Sequence, residues 1–183
     1  VRVYFCAGHS CGKTTLARYV SLRYELPLLP EVARQVLSER ELNIDTLRAD
    51  LGIVDSYQQE VFTRQIAEEK RLEAFVSDRS AIDALAYIAQ HSSNFYQTMQ
   101  SPLLKPYIET LKQSDVRLFF VRPSKATLKE DGVRETPTYE GVLQIDAIIK
   151  CLLELHGLKY FQINTDSMQE RCSLINSVLS LAK

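Results

Sequence analysis

The feature that most constrains this chain is the stretch Ala7-Gly8-His9-Ser10-Cys11-Gly12-Lys13-Thr14-Thr15, together with what flanks it. A β-branched and aromatic run, Val1 to Cys6, precedes it, and a helical pattern, Leu16 to Tyr24, follows at once. Strand, small-residue loop and helix in that order form the context of a phosphate-binding loop. Small residues let successive backbone N–H groups turn inward toward phosphate oxygens, and the helix N-terminus adds the positive end of its dipole. On this reading Gly8, His9, Ser10, Cys11, Gly12, Lys13, Thr14 and Thr15 line the phosphates. Lys13 neutralises β- and γ-phosphate charge, and the Thr14 hydroxyl holds Mg²⁺. The usual pattern opens on glycine. Here that place is Ala7, which lacks easy access to positive φ, so the sharp turn is expected at Gly8.

Downstream, strand and helix signals alternate. The run Leu26 to Pro30 reads as a short strand whose prolines suit an edge, and Pro30 suits the first turn of a helix from Glu31 to Glu39. Arg40 to Gly52 is polar and irregular, and Val54 to Phe75 carries Tyr57, Val61, Phe62 and Ile66 at helical period. Ala74 to Asp78 is a buried-strand pattern ending in an acid, and Ser80 caps a helix from Ala81 to Gln90. Phe95 to Lys112 is helical with interruptions near Pro102 and Pro106. Val116 to Val121 is the strongest strand signal. It is followed by a polar lid-like segment (about residues 123–138), a helix from Tyr139 to His156 stopped by Gly157, a strand at Tyr160 to Ile163, and a helix from Ser167 to Leu181 with Cys172, Ile175, Val178 and Leu179 inward. About five strands separated by helices imply a parallel sheet covered on both faces.

At 183 residues and 45% hydrophobic content, one core and one domain over residues 1–183 are expected. The net charge of −1 gives no electrostatic case for nucleic acid or a membrane surface as partner. The longest apolar runs have strand length, so no membrane span is expected. The chain enters its first strand at once, which argues against a signal peptide. Cys6, Cys11, Cys151 and Cys172 lack metal-type spacing, and reduced thiols in a cytoplasmic protein fit them best.

Two strands could bring an acid to the metal beside the loop. The strand ending at Val121 delivers Arg122, the wrong charge; the other delivers Asp78, so Asp78 is the expected Mg²⁺ partner, the alternative being a helix cap. Arg79 either reaches the transferring phosphoryl group or is a surface arginine, and Asp83 either orients Arg79 or faces water. After the second strand, Glu31 and Arg34 share a helix face. Glu31 at the sheet's C-terminal edge either accepts a hydroxyl proton from an acceptor substrate or complements the helix dipole in an i,i+3 ion pair. Arg134, beside Gly132 in the lid segment, either stabilises transfer on closure or belongs to a polar loop. His9 is expected to contribute backbone, and His91 and His156 to sit at helix ends.

The spaced set of Ala7–Thr15, Pro30-Glu31-Val32-Ala33-Arg34, Ser77-Asp78-Arg79-Ser80 with Asp83, Leu85, Ala86 and Tyr87, and Asp131-Gly132-Val133-Arg134 resembles a family of small P-loop proteins over nearly the whole chain. These carry an AAA-type ATPase label but are similar to nicotinamide riboside kinases and deoxynucleoside kinases. The resemblance implies a P-loop NTPase three-layer fold, with a five-stranded parallel sheet in nucleoside-kinase-like order and a lid. It implies that Glu31 is a base or sugar ligand, that the arginine of Asp78-Arg79-Ser80 serves the phosphates, and that Gln58 or Gln59 reads a base. Despite the label, 183 residues are not expected to leave room for the extra helical domain of the ring-forming AAA+ motors. The function expected is an ATP- (or GTP-) and Mg²⁺-dependent phosphotransferase acting on a small hydroxyl-bearing metabolite, with a nucleoside or nucleotide the favoured class. The alternative is an ATP- or GTP-binding switch or ATPase that engages a protein partner.

Overall fold

The computed structural model describes residues 1–42, 47, 50–124 and 138–180. Five short strands, β1 (Arg2–Cys6), β2 (Leu28–Leu29), β3 (Phe75–Ser77), β4 (Val116–Val121) and β5 (Phe161–Ile163), pair in parallel in the order β2-β3-β1-β4-β5. The helices are α1 (Lys13–Tyr24), α2 (Val32–Glu39), α3 (Leu51–Glu69), α4 (Ala81–His91), α5 (Phe95–Met99), α6 (Leu104–Leu111), α7 (Tyr139–Leu155) and α8 (Met168–Ser180).

Side-chain alternation along the strands builds two cores, one on each face of the sheet. Val3 and Phe5 of β1 and Phe119 of β4 pack with Leu16, Ala17 and Val20 of α1 and Ile175 of α8. Tyr4 and Cys6, with Phe75, Leu118 and Phe120, face the opposite layer, which includes Val36, Phe62, Leu85 and Ile149. Phe5 stacks on Phe119 at 5.3 Å between ring centroids. Each fully buried phenylalanine contributes about 1.5–3 kcal/mol.

This strand order decides where a ligand can sit. After β1 the chain passes over the β3 position to reach β2, and after β3 it crosses to β4 on the other side of β1. The loops leaving β1, β2 and β3 therefore converge at their C-terminal ends, where open parallel sheets bind ligands. Those loops carry Ala7–Gly12, Pro30–Glu31 and Asp78–Ser80.

Several boundaries depart from expectation for local reasons. α3 starts at Leu51, inside the stretch expected to be irregular, because the Asp50 carboxylate accepts from the Gly52 and Ile53 N–H groups. Pro102 falls between α5 and α6, but Pro106 lies inside the first turn of α6, where its missing N–H leaves no bond unmade. α7 ends as expected at Gly157, whose φ is 63°, and the Leu158 N–H closes back onto the Leu153 carbonyl. In α8 the inward face is Arg171, Ile175, Val178 and Leu179; Cys172 is only half-buried. No helix among the described residues is long and apolar enough to cross a membrane.

Candidate functional site

The loop between β1 and α1 carries its left-handed backbone at Ser10 (φ 53°) and Gly12 (φ 84°), so the turn expected at Gly8 falls further along. Gly8 is needed for a different reason. A Cβ there would lie 3.1 Å from Val142 Cγ1 and 3.3 Å from the Val142 carbonyl, so only glycine lets α7 approach this closely. His9 lays its ring 4.9 Å from that of Tyr87, and the Cys11 thiol donates to the His9 carbonyl at 3.1 Å. Lys13 is buried, with its ammonium donating to the Gly8 carbonyl at 2.5 Å. Burial, and then the neighbouring Arg79 cation, lower its pKa. Two buried cations that repel each other at the mouth of a small-residue loop form a setting for a polyanion. Thr14 and Thr15 are exposed on the first turn of α1.

Asp78, at the end of β3, accepts from the Thr14 hydroxyl through Oδ2, while its buried Oδ1 has no hydrogen-bond partner among the described residues. It does not cap α4. Ser80 does so in a full capping box with Asp83, whose Oδ2 accepts from the Ser80 N–H at 2.9 Å and the Ser80 hydroxyl at 2.8 Å. Asp83 is fully buried, and its Oδ1 accepts from the Ala7 N–H at 2.9 Å, which ties the first residue of the loop to α4. It lies 3.8 Å from Arg79.

Arg79 is a buried residue, not a surface one. Its backbone φ of 120° lies in the left-handed half of the map, which costs about 1–3 kcal/mol for a side-chain-bearing residue. The Arg79 Nε donates to Glu31 Oε1 at 2.8 Å, Nη1 donates to the Ala7 carbonyl at 3.3 Å, and the guanidinium lies 5.2 Å over the Tyr87 ring. Burial opposes the Arg79 charge, but Glu31, Tyr87, Asp83 and Asp78 outweigh it and hold the pKa well above its ordinary value.

Glu31 is the N-cap residue of α2 by backbone, yet its side chain makes no cap hydrogen bond. It spends both oxygens on guanidinium groups: Oε1 on Arg79, and Oε2 on the Arg34 Nε at 2.8 Å. The Glu31 carboxylate is 8% exposed and the Arg34 side chain 49%, so the i,i+3 pair runs from the buried site to the surface. Glu31, Arg79, Lys13, Asp78 and Thr14 are thus brought into one connected cluster. Gln58 lies on the buried face of α3, and the Gln59 side chain accepts from Thr98. Arg134 and most of the lid segment lie outside the described residues. Arg122, excluded from the metal by its charge, pairs at 3.0 Å with the buried Asp146 of α7.

The residues present fit a nucleotide-bound Mg²⁺. A hydroxyl and a carboxylate, both hard oxygen donors, stand together, and one buried oxygen of the carboxylate is uncommitted among the described residues. Among the described residues no group of three or more His, Cys, Asp or Glu could enclose a metal. That sparse set is what Mg²⁺ takes when phosphates and water complete its shell.

Two contributors escaped the sequence reading. One is the capping-box acid Asp83 as an anchor for the loop. The other is Arg171 of α8, 2% exposed, whose Nη1 donates to the Cys11 carbonyl at 2.8 Å.

Comparison with known proteins agrees with this architecture. A family model described as AAA domain matches residues 2–171. No curated protein matches the sequence. A deoxyadenosine kinase from M. mycoides, solved with the products dCMP and dCDP, superposes with a TM-score of 0.72 at 14% identity, covering 100% of each chain. A NadR protein in complex with NR superposes with a TM-score of 0.75 at 18% identity, covering 96% of this chain but 50% of the NadR chain. Shikimate kinase from Acinetobacter baumannii gives a TM-score of 0.54 at 14% identity, covering 98% of this chain and 93% of that one. The fold is thus the α/β P-loop NTPase fold, in the form these kinases share.

Proposed function

The chain belongs to the AAA-domain family, and on that premise we propose that it is a small-molecule kinase. It transfers a phosphoryl group from ATP, with GTP as the alternative donor, to the hydroxyl of a nucleoside or nucleotide. The observation that carries this reading is Glu31. A nucleotide switch needs no acid on the acceptor side of the sheet edge, yet here a buried carboxylate is held there by two arginines, one of which also touches the phosphate loop through the Ala7 carbonyl.

In this reading the loop N–H groups, Lys13 and Arg79 bind the donor phosphates, and Thr14 and Asp78 hold Mg²⁺. Mg²⁺ supplies neutralisation of phosphate charge when bound. Glu31 orients the acceptor hydroxyl and takes its proton, and Arg79 keeps the carboxylate in place. Gln58 or Gln59 reads the acceptor base, Arg34 sets the charge the acceptor can carry, and Arg134 completes the site from the lid segment. The kinase neighbours support this reading, as does the connection of Glu31 to the loop residues through Arg79 at one sheet edge.

The test is a panel of nucleosides, nucleotides and related hydroxyl metabolites, read as acceptor-dependent ADP or GDP release. Release that requires a nucleoside or nucleotide is the expected result. Donor turnover stimulated only by a protein partner would favour the switch.

A further inference from the structure

The Arg171 side chain links two distant parts of the molecule. It comes from the first turns of α8, 160 residues along the chain from its partner Cys11. Its Nε donates to the Thr165 carbonyl at 2.6 Å, in the connection that follows β5, and its Nη1 donates to the Cys11 carbonyl at 2.8 Å. Asp166 lies 3.7 Å from Nη2, too far for a tight pair. An arginine this buried, with two donors on backbone carbonyls and, among the described residues, only the loose 3.7 Å pair to Asp166 to balance its charge, is an expensive way to fill space. Leucine at this position would pack the same helix face without desolvating a charge.

The carbonyl it grips belongs to the Cys11–Gly12 peptide in the middle of the phosphate loop. In a trans peptide the C=O and the following N–H point in opposite directions. Holding the Cys11 oxygen toward α8 therefore turns the Gly12 N–H the other way, away from α8. Gly12 completes the arrangement. Its φ of 84° is one a side chain resists, and a Cβ there would lie 3.1 Å from Arg171 Nη1. Peptide orientation is the variable that matters in such a loop, because a flipped unit presents a carbonyl to phosphate instead of an N–H.

We propose that Arg171 is a positioning residue for donor binding. Its forked guanidinium, braced on Thr165, sets the Cys11–Gly12 peptide with the N–H toward the donor phosphates, so that α8 governs donor affinity. This rests on the phosphate-loop part of the proposed function and on no assumption about the acceptor. The fork is essential, because one ammonium at the end of a lysine cannot reproduce two directed bonds of fixed geometry.

Isothermal titration of the intact protein with Mg²⁺·ADP separates this role from simple scaffolding, because stoichiometry counts folded sites and Kd reports their quality. Both Arg171→Lys and Arg171→Met should raise Kd about tenfold or more, the size expected for losing a charge-assisted bond that orders the site, with stoichiometry close to wild type. Donor KM should rise in step while acceptor KM stays put. Lysine matching wild type, or a Kd within about twofold of wild type with stoichiometry alone reduced, overturns the proposal. Wild type gives a second measurement that needs no variant. If the loop peptide and Arg171 are coupled, bound Mg²⁺·ADP must slow amide exchange in residues 168–175. Unchanged exchange there overturns the proposal while leaving the phosphate loop in place. Wild type that binds neither Mg²⁺·ADP nor Mg²⁺·GDP removes the phosphate-loop reading and this inference together.

Discussion

Asp83→Asn should destabilise the protein nearly as much as Asp83→Ala, although asparagine has the same shape. Both carboxylate oxygens of this fully buried residue accept from backbone N–H groups, Oδ1 from Ala7 and Oδ2 from Ser80. An asparagine can offer an oxygen to only one of them. Whichever way the amide is turned, its NH₂ faces the other N–H donor-to-donor. One buried donor left unsatisfied costs about 1–3 kcal/mol, and the surviving bond loses its charge assistance, so a total of about 2–4 kcal/mol is expected. For a chain of this length about 2–4 °C of Tm goes with each kcal/mol, so Tm should fall by about 5–15 °C. Alanine, which strands both N–H groups, should fall slightly further. Thermal and urea denaturation followed by circular dichroism measure both variants. An asparagine variant melting within about 1 °C of wild type would refute the claim that both oxygens are committed, and with it the view that α4 holds the start of the phosphate loop.

Three further outcomes are expected. Glu69 of α3 is buried and accepts from Tyr4, Tyr107 and Gln65, yet burial pushes its carboxyl from 4.5 up to about 8. The folded state keeps a proton that the unfolded chain releases, so this contribution is full below about pH 4.5 and lost as pH rises through about 8. Urea midpoints for wild type relative to Glu69→Gln should therefore fall between pH 5 and 9, and a constant offset would contradict it. Asp78→Asn should lower Mg²⁺-dependent activity by orders of magnitude with little change in Tm, because Ser80 and Asp83 cap α4 without it; normal activity would remove Asp78 from the metal site. Glu31→Gln should lower kcat by about 10²–10⁴-fold while leaving the Kd for Mg²⁺·ADP unchanged; a weakened donor with normal kcat would make the Glu31–Arg79 pair a part of the phosphate site alone.

The fold was legible because its signals are local. The strands read as short, mainly apolar segments, and the strand–loop–helix start fixes one connection on which a parallel sheet can be built. The sequence singled out Lys13, Thr14, Glu31, Asp78 and Arg79, which the fold brings together, but not how they pair. Glu31 and Arg34 are three apart on one helix and could be paired by spacing; Glu31 and Arg79 are 48 residues apart and could not. The same limit hid Asp83, whose capping box is local but whose bond to Ala7 spans 76 residues. On α8 the helical period points back from Ile175 to either position 171 or 172. Hydrophobicity favours Cys172, whereas the fold buries Arg171, because the loop carbonyl it meets needs a donor. Gly8 was misread for a related reason. Its backbone needs no special φ, and what forbids a side chain there is α7, which returns to the loop only in the folded chain.

The central claim is transfer of a phosphoryl group to a hydroxyl, and ³¹P NMR of the reaction mixture tests it most directly. With ATP or GTP, Mg²⁺ and the acceptor selected from the nucleoside and nucleotide panel, each nucleoside diphosphate formed from the donor should be matched by one new phosphoester signal on the acceptor, with inorganic phosphate negligible. Glu31→Gln should slow that signal's growth without diverting it. Stoichiometric inorganic phosphate with no phosphorylated acceptor, across the whole panel, would contradict the account and leave a nucleotide hydrolase or switch in its place.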